Sequence, residues 1–339
     1  MSTLTTIETA ETAPTKMPTR ILLTTTSFQD TPGAHHDVLN NSGFEIVRQR
    51  GPLSETQMLD LVKSGGGFDG FLNGDDQITA RVIDASLPRL KVIAKYGIGL
   101  DSIDVKYATE KKIPVLFTPG VNETTVAEHA YGLIIGCAKA FWFHMKSVKS
   151  GQWKRQTGIE LFGKTLGIVG LGRIGKEMVK RANAFGMNCI AFDAYFDEAF
   201  AKQYNVRRAP SALDVLKEAD IITLHCPLTP ETRGMINKDS LAQMKDGAIV
   251  INTARGGLVI EEDVAAACKS GKLRGYGADV LDVEPMKTPH PFQEIDNILI
   301  TPHVGSRTFE SVQRQGLRAA HNLVNFLNGN PDYIQANKF

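Results

Sequence analysis

A strand, a glycine-rich turn and a helix follow one another at residues 165–186, and this stretch constrains the fold more than any other. The apolar segment TLGIVG runs directly into Gly170, and RIGKEMVKRANAFG after Gly172 has the pattern of a helix that ends at Gly186. Gly170, Gly172 and Gly175 have the spacing of a dinucleotide-binding turn, where glycines permit the tight turn, close approach of a pyrophosphate and close helix–strand packing. We therefore expect a parallel α/β sheet with phosphates bound at a helix N-terminus.

An acidic residue at the end of the next predicted strand extends this motif. Asp193 closes the segment NCIAFD, eighteen positions after Gly175. This is near the spacing of a carboxylate that binds an adenosine ribose. A carboxylate there repels the 2′-phosphate of NADP, and no Arg or Lys follows until Lys202. The segment therefore predicts NAD as the cofactor.

Two blocks of alternating strands and helices account for most of the chain. Short β-branched runs such as RILLTTT alternate with amphipathic segments, and the alternation resumes at KTLGIVG and continues to NILITPH. This pattern is typical of βαβ units and parallel sheets. We expect two doubly wound α/β domains, one discontinuous at 20–120 and 303–339, the other at 121–302 with a long interdomain helix at 124–150. Residues 1–19 are expected to form a disordered tail.

Charge, cysteine usage and hydropathy argue against several classes of protein. Lys and Arg total 38 against 37 for Asp and Glu, and this balance argues against nucleic acid as a partner. The most apolar stretch, AYGLIIGCAKAFWF, is too short and too interrupted for a membrane span. No pair among the four cysteines has the spacing of a zinc site or a disulfide framework. We therefore expect a cytoplasmic protein without a metal site.

Five segments of the chain carry a resemblance to a known family. In order they are GKTLGIVGLGRIGKEM, LHCPLTPETRGMIN, INTARGGLVIEEDV, GADVLDVEP and TPHVGS. They resemble the D-isomer-specific 2-hydroxyacid dehydrogenases, especially the phosphoglycerate dehydrogenase and glyoxylate reductase branch. The resemblance implies a Rossmann NAD-binding domain and a flavodoxin-like substrate-binding domain, with the active site in the cleft between them. It also implies a homodimer and hydride transfer between NAD and a D-2-hydroxy acid or its 2-keto acid.

Three residues on separate loops match the catalytic residues of that family. Arg255, in NTARGG, has the planar fork that suits a carboxylate and a carbonyl oxygen together. His303 follows the segment NILIT, and its imidazole titrates near neutrality and can act as acid or base. The resemblance assigns to Glu284 the hydrogen bond that orients this histidine, although Asp282 is two positions away and could do the same. The role of His225 stays open.

Other residues are assigned to the cofactor and the substrate. The resemblance places Asp279 at the nicotinamide carboxamide. Gly97 and Gly99 are expected to leave backbone N–H groups for a nest that binds the substrate carboxylate, with a plain βα turn as the alternative. The other predicted cofactor contacts are Gly170, Gly172, Arg173, Ile174, Gly175, Asp193, Cys226, Pro227, Thr232, Thr253, Ala254, His303 and Gly305. The predicted substrate contacts are Gly97, Ile98, Gly99 and Arg255.

The substrate itself is left open by a departure from the family pattern. Phosphoglycerate dehydrogenases often present basic residues where this chain has Gly74–Asp76. Two acids would repel a substrate phosphate unless Arg48, Arg50 or Lys95 compensates, and they are otherwise expected to be solvated turn residues. The 36 residues after His303 also lead us to expect no appended regulatory domain. The alternatives are a phosphite or formate dehydrogenase of the same fold and a non-catalytic, NAD-sensing dimeric regulator.

Overall fold

The computed structural model describes residues 17–64 and 66–339, and it divides into two compact units. The first unit comprises the chain up to Pro119 together with Val312–Phe339, and the second comprises Gly120–Ser311. The predicted tail at 1–19 lies outside the described residues except for its last three positions.

The helices and strands alternate along the chain. In chain order they are β1 (Arg20–Leu23), α1 (Thr26–Asp30), α2 (His35–Asn40), β2 (Glu45–Arg48), α3 (Glu55–Ser64), β3 (Gly70–Asn73), α4 (Ala80–Ser86), β4 (Val92–Lys95), α5 (Val105–Glu110), β5 (Val115–Leu116), α6 (Glu123–Ala138), α7 (Phe141–Lys149), β6 (Thr165–Val169), α8 (Arg173–Ala184), β7 (Asn188–Phe192), α9 (Glu198–Tyr204), β8 (Val206–Arg208), α10 (Ala212–Glu218), β9 (Ile221–Leu224), α11 (Lys238–Gln243), β10 (Ala248–Asn252), α12 (Glu261–Ser270), β11 (Leu273–Ala278), β12 (Ile298–Ile300) and α13 (Phe309–Leu327). A short 3-10 helix at Gly256–Leu258 follows β10.

The first unit is built on a five-stranded parallel sheet. Its strand order, β2-β1-β3-β4-β5, is that of flavodoxin-like folds. The central strands β3 and β4 are buried along their whole length, as expected where helices cover both faces of a parallel sheet. On one face, Leu23 and Leu72 share an apolar cluster with Leu323 of α13. The predicted flavodoxin-like domain is confirmed.

The second unit is built on a seven-stranded parallel sheet. The strand order is β12-β11-β10-β9-β6-β7-β8, so the winding reverses between β6 and β9. This is the Rossmann arrangement, in which the reversal opens a crevice at the carboxyl ends of the strands. Apolar clusters lie on both faces, one around Val250 and Tyr276 and the other around Ile134 and Ile168. The predicted Rossmann domain is confirmed.

The predicted single helix at 124–150 is wrong, because the chain turns between α6 and α7. Ala140 adopts a left-handed backbone conformation with φ 52°. The carbonyl of Ala138 accepts a hydrogen bond of 2.9 Å from the N–H of Ile159. This N–H, from a distant loop, takes the place of the N–H that would continue the helix. The most apolar stretch of the chain is thereby divided between two helices. In the part of the chain that the structure describes, no helix has both the length and the apolarity of a membrane span.

The second boundary between the units falls after residue 311 rather than after residue 302. The segment that carries His303 belongs to the second unit because hydrogen bonds fasten it to Asp279. The His303 N–H donates to the Asp279 carbonyl at 2.9 Å, and the Gly305 N–H donates to the Asp279 carboxylate at 2.7 Å. The predicted start of the returning segment at residue 303 is therefore corrected.

Candidate active site

Most of the predicted site residues follow the carboxyl ends of strands in the second unit. Because all of these strands are parallel, their carboxyl ends meet at one edge of the sheet. The residues that follow successive strands there are Gly170 after β6, Asp193 after β7, His225 after β9, Thr253 after β10, Asp279 after β11 and Thr301 after β12.

The three glycines after β6 differ in what requires them. A Cβ atom at Gly170 would lie 2.6 Å from the backbone carbonyl of His225, and one at Gly175 would lie 2.2 Å from the carbonyl oxygen of Gly170. These two glycines are therefore required by close packing. A Cβ atom at Gly172 would meet no described atom within 4 Å. Gly172 precedes helix α8, so open space faces the helix end at which a pyrophosphate would bind.

Asp193 is tied to this glycine turn through its carboxylate. One oxygen accepts a hydrogen bond of 2.7 Å from the N–H of Leu171, and the other accepts one of 2.7 Å from the N–H of Tyr195. A carboxylate oxygen has a second lone pair, so both can still accept ribose hydroxyls. Arg173 is exposed and Ile174 half-buried in the first turn of α8, and their contacts with a cofactor stay predictions.

Two buried polar atoms at this edge have no hydrogen-bond partner among the described residues. They are Thr253 Oγ1 and His225 Nδ1. The other ring nitrogen of His225 lies 2.8 Å from Thr223 Oγ1. Burial lowers the pKa of His225 to about 3, so its ring is neutral at physiological pH. Because buried polar atoms are nearly always paired, these two fit a site completed by a polar ligand. Together with the open space at Gly172, they fit a dinucleotide.

His303 and Glu284 form a hydrogen-bonded pair. His303 Nδ1 lies 2.8 Å from Glu284 Oε2, and Glu284 Oε1 accepts a hydrogen bond of 2.9 Å from the N–H of Leu281. Asp282, the alternative partner, instead lies 3.6 Å from Arg233 Nη1. Because an ionised carboxylate only accepts hydrogen bonds, Nδ1 of His303 carries a proton and donates a hydrogen bond to Glu284.

The backbone of His303 adopts an uncommon conformation that Asp279 holds in place. His303 has φ 52°, a region that costs energy for residues other than glycine and is often found at functional sites. The carboxylate of Asp279, 3% exposed, accepts hydrogen bonds of 2.8 and 2.7 Å from the N–H groups of Val304 and Gly305. Asp279 is therefore a buried anchor of this loop, and its predicted contact with the nicotinamide stays a prediction.

The loop that carries Arg255 packs directly against the segment that leads to Glu284. A Cβ atom at Gly256 would lie 1.9 Å from the backbone carbon of Leu281, so only glycine permits this approach. The side chain of Asn252 donates a hydrogen bond of 2.8 Å to the Arg255 carbonyl, and Arg255 Nη1 lies 2.6 Å from the carbonyl oxygen of Ala254. The loops after β10 and β11 therefore form one packed surface.

The residues after β9 form a closed turn. The Thr232 hydroxyl donates to the Pro227 carbonyl at 2.8 Å and accepts from the Thr229 N–H at 2.8 Å. Burial raises the pKa of the Cys226 thiol to about 11, and this side chain lies 4.0 Å from the sulfur of Met235. Thr232 thus shapes the turn. The predicted contacts of Cys226, Pro227 and Thr232 with the cofactor stay predictions.

In the first unit, the expectation that the N–H groups of the predicted substrate nest are free is wrong for Gly97. The N–H of Gly97 donates a hydrogen bond of 3.0 Å to Thr118 Oγ1, so it is engaged within the fold. Gly97 has φ 132°, a conformation that favours glycine. Ile98 is 37% exposed. The roles of Gly97, Ile98 and Gly99 toward a substrate stay predictions.

The acidic turn after β3 was expected to be solvated, and the structure differs from this expectation at Asp76. Asp76 is fully buried, and its carboxylate accepts hydrogen bonds of 2.7 Å from the Leu53 N–H and 2.5 Å from Thr24 Oγ1. The ammonium of Lys95 lies 2.6 Å from the carboxylate of Asp75. Asp76 is therefore a structural acid rather than a solvated one, and the charge of Lys95 is already balanced.

His129 is a residue of this region that the sequence did not single out. It lies in α6, and its Nε2 is 2.8 Å from Thr301 Oγ1 and 3.5 Å from the Asp279 carboxylate. Nothing in the local pattern singles it out, because a half-buried histidine on an apolar helix does not indicate a contact with a strand end far along the chain.

Residues 131–305 match a family model described as D-isomer specific 2-hydroxyacid dehydrogenase, NAD binding domain. The D-3-phosphoglycerate dehydrogenase of Methanocaldococcus jannaschii is 39% identical over 301 residues, which are 86% of this chain and 57% of that protein. The chain therefore spans less than two thirds of that relative. The hydroxypyruvate reductase of Thermotoga maritima is 44% identical over 252 residues, 73% of this chain and 80% of that protein.

Solved structures show the same architecture. The crystal structure of the TT0316 protein from Thermus thermophilus superposes with a TM-score of 0.85 at 36% sequence identity. The match covers 94% of this chain and 100% of that one. The likeness therefore includes both units of the fold.

Proposed function

The chain belongs to the D-isomer-specific 2-hydroxyacid dehydrogenase family, and we propose that it is an NAD-dependent oxidoreductase that interconverts a D-2-hydroxy acid and its 2-keto acid. The observation that carries the proposal is the pair formed by His303 and Glu284, whose side chains lie 2.8 Å apart. A regulator that only senses NAD has no chemical need for an oriented imidazole beside the loop of Arg255.

The proposed reaction divides the work among three side chains. When bound, the nicotinamide of NAD accepts or supplies the hydride at C2 of the acid. Arg255 binds the substrate carboxylate and polarises the carbonyl oxygen, because its planar fork offers parallel N–H donors. His303 delivers a proton from Nε2 to that oxygen during reduction and removes it during oxidation. Glu284 accepts a hydrogen bond from Nδ1–H of His303, and this bond orients the imidazole ring and stabilises its charged form.

A panel of 2-keto acids tests this proposal. NADH oxidation is measured with glyoxylate, hydroxypyruvate and longer 2-keto acids, and the panel is repeated with NADPH. We expect turnover with at least one acid and NADH. NADH binding without turnover on any acid would instead support a regulator, and NADH formation from phosphite or formate would assign a different reaction. Because Asp75 already balances Lys95 at 2.6 Å, we expect unphosphorylated acids to be the better substrates.

Asp193 is proposed to select NAD over NADP. Asp193→Asn removes the negative charge, while its amide oxygen can still accept a backbone hydrogen bond. We expect the ratio of kcat/KM for NADH to that for NADPH to fall by about fivefold or more, since a like charge within a few ångströms is worth about 1 kcal/mol or more. Glu198→Gln is the control, because it removes one negative charge from the exposed surface nearby. An unchanged ratio in Asp193→Asn would contradict this role.

We also propose that the chain forms a homodimer. Phe141, Met145 and Val148 lie four and three residues apart on α7 and are 48%, 56% and 55% exposed. This spacing places them on one face of the helix, and exposed apolar faces usually mark interaction surfaces. Light scattering after gel filtration should give twice the mass of the chain, and Met145→Glu combined with Val148→Glu should give the monomer. A monomeric wild type would contradict the proposal.

A further inference from the structure

Two hydrogen bonds in series connect His129 to the loop that carries His303. His129 Nε2 lies 2.8 Å from Thr301 Oγ1. The same hydroxyl oxygen lies 2.6 Å from the Asp279 carboxylate. Helix α6 is thereby joined to the residues that follow β11 and β12.

The direction of these hydrogen bonds follows from the donors available. The Thr301 hydroxyl has one proton. Its nearest acceptor is Asp279 Oδ1 at 2.6 Å, whereas the Ala278 carbonyl oxygen is 3.4 Å away. Thr301 therefore donates to Asp279 and accepts from His129, so the proton on the His129 ring is at Nε2. Both bonds are directed toward the buried carboxylate.

That carboxylate determines the backbone on the C-terminal side of His303. It accepts the N–H groups of Val304 and Gly305 at 2.8 and 2.7 Å. The packing is tight, because a Cβ atom at Gly305 would lie 2.8 Å from the Asp279 carboxylate and 3.5 Å from the ring of His129. A buried carboxylate keeps its hydrogen-bond donors because the loss of one leaves it desolvated without a partner. The two amides therefore follow the carboxylate when it shifts, and the loop moves with them.

We propose that His129 is a positioning residue for the reaction proposed above, on which this inference rests. Through Thr301 it fixes the carboxylate of Asp279, and Asp279 in turn holds His303 in its left-handed conformation. Helix α6 has a large apolar core of its own, with Ala127, Ala130 and Ile134 fully buried. His129 is not part of that fully buried set, and its side chain is 23% exposed, so a replacement of similar size leaves the apolar core of the helix in place.

Two substitutions at His129 separate hydrogen bonding from packing. His129→Phe fills the space without a donor, whereas His129→Gln retains an N–H donor. We expect His129→Phe to lower kcat about tenfold, since small displacements of a catalytic group have effects of this order or larger, while KM for NADH stays within about twofold. His129→Gln should retain kcat within about threefold of the wild type. His321→Phe on α13, at an exposed histidine, is the matched control and should retain the kcat of the wild type.

Amide hydrogen exchange gives a readout that does not depend on turnover. In His129→Phe, exchange should be faster at Val304 and Gly305, whose N–H groups bind Asp279, while exchange in the rest of the second unit and in the first unit stays at the wild-type rate. Wild-type kcat and wild-type exchange in His129→Phe would overturn the proposal, and so would a general loss of protection throughout the second unit. If the wild type shows no turnover, the proposed function fails, yet exchange at these two amides still decides the inference.

Discussion

Replacing His303 with asparagine is expected to lower kcat by about 10²- to 10⁴-fold, the usual contribution of a positioned acid–base group. Asparagine suits this position because it tolerates the left-handed region better than most residues, and His303 has φ 52°. The substitution therefore removes the proton donor without disturbing the loop. NADH should still bind, because the glycine turn after β6 and Asp193 are unchanged.

The measurements are initial rates of NADH oxidation and a titration of NADH by protein fluorescence. His321→Asn on α13, at an exposed histidine, is the control and should keep the wild-type rate. Glu284→Gln should lower kcat by about tenfold or more, since it removes the negative charge beside Nδ1 and leaves one acceptor oxygen for two donors, Nδ1–H and the Leu281 N–H. Asp282→Asn should have little effect, because Asp282 contacts Arg233 instead. Full activity in His303→Asn would show that another group moves the proton.

Replacing Arg255 with lysine is expected to lower kcat/KM for the 2-keto acid by about 10²- to 10³-fold. Lysine keeps the positive charge but cannot offer two parallel N–H donors to a carboxylate and a carbonyl, and the loss of a preorganised donor at a developing oxyanion costs about this much. The loop should remain folded, because Asn252 binds the backbone carbonyl of Arg255 rather than its side chain.

The loss should appear with the keto acid and not with the cofactor. The dissociation constant of NADH is expected to stay within about threefold of the wild-type value, since Arg255 is assigned to the substrate. Arg233→Lys is the matched control, because this arginine lies nearby but contacts the carboxylate of Asp282. Wild-type kcat/KM in Arg255→Lys would remove Arg255 from the reaction, and an equal loss of NADH affinity would assign it to the cofactor.

Local patterns in the sequence were sufficient to predict both sheets but not the pairing of the two candidate catalytic side chains. The spacing of Gly170 and Gly175 reflects contacts within one strand–turn–helix unit, so it can be read without knowledge of the rest of the fold. The pairing of Glu284 with His303 came from the family resemblance, because the loops after β11 and β12 meet only at the sheet edge. Distance in the structure, rather than spacing in the sequence, favours Glu284 over Asp282.

The expectations that were wrong depend on contacts between residues far apart in the chain. Ala140 breaks the predicted long helix without a glycine or proline, because Ile159 occupies the carbonyl at the end of α6. Thr118 accepts a hydrogen bond from the N–H of Gly97, and Leu53 and Thr24 donate hydrogen bonds to the buried carboxylate of Asp76. None of these partners could be identified from residue type or periodicity, since each comes from a different βα unit.

Transfer of deuterium from NADH to the product shows directly whether a hydride passes from the cofactor to C2 of the acid. NADH with deuterium at both C4 positions of the nicotinamide is incubated with the enzyme and the best keto acid of the panel other than glyoxylate, whose product is achiral. The product is examined by mass spectrometry and chiral chromatography. D-specific hydride transfer to C2 predicts one deuterium bound at C2 of a 2-hydroxy acid with the D configuration, and loss of this product in His303→Asn. Unlabelled product, or an L-hydroxy acid, would contradict it.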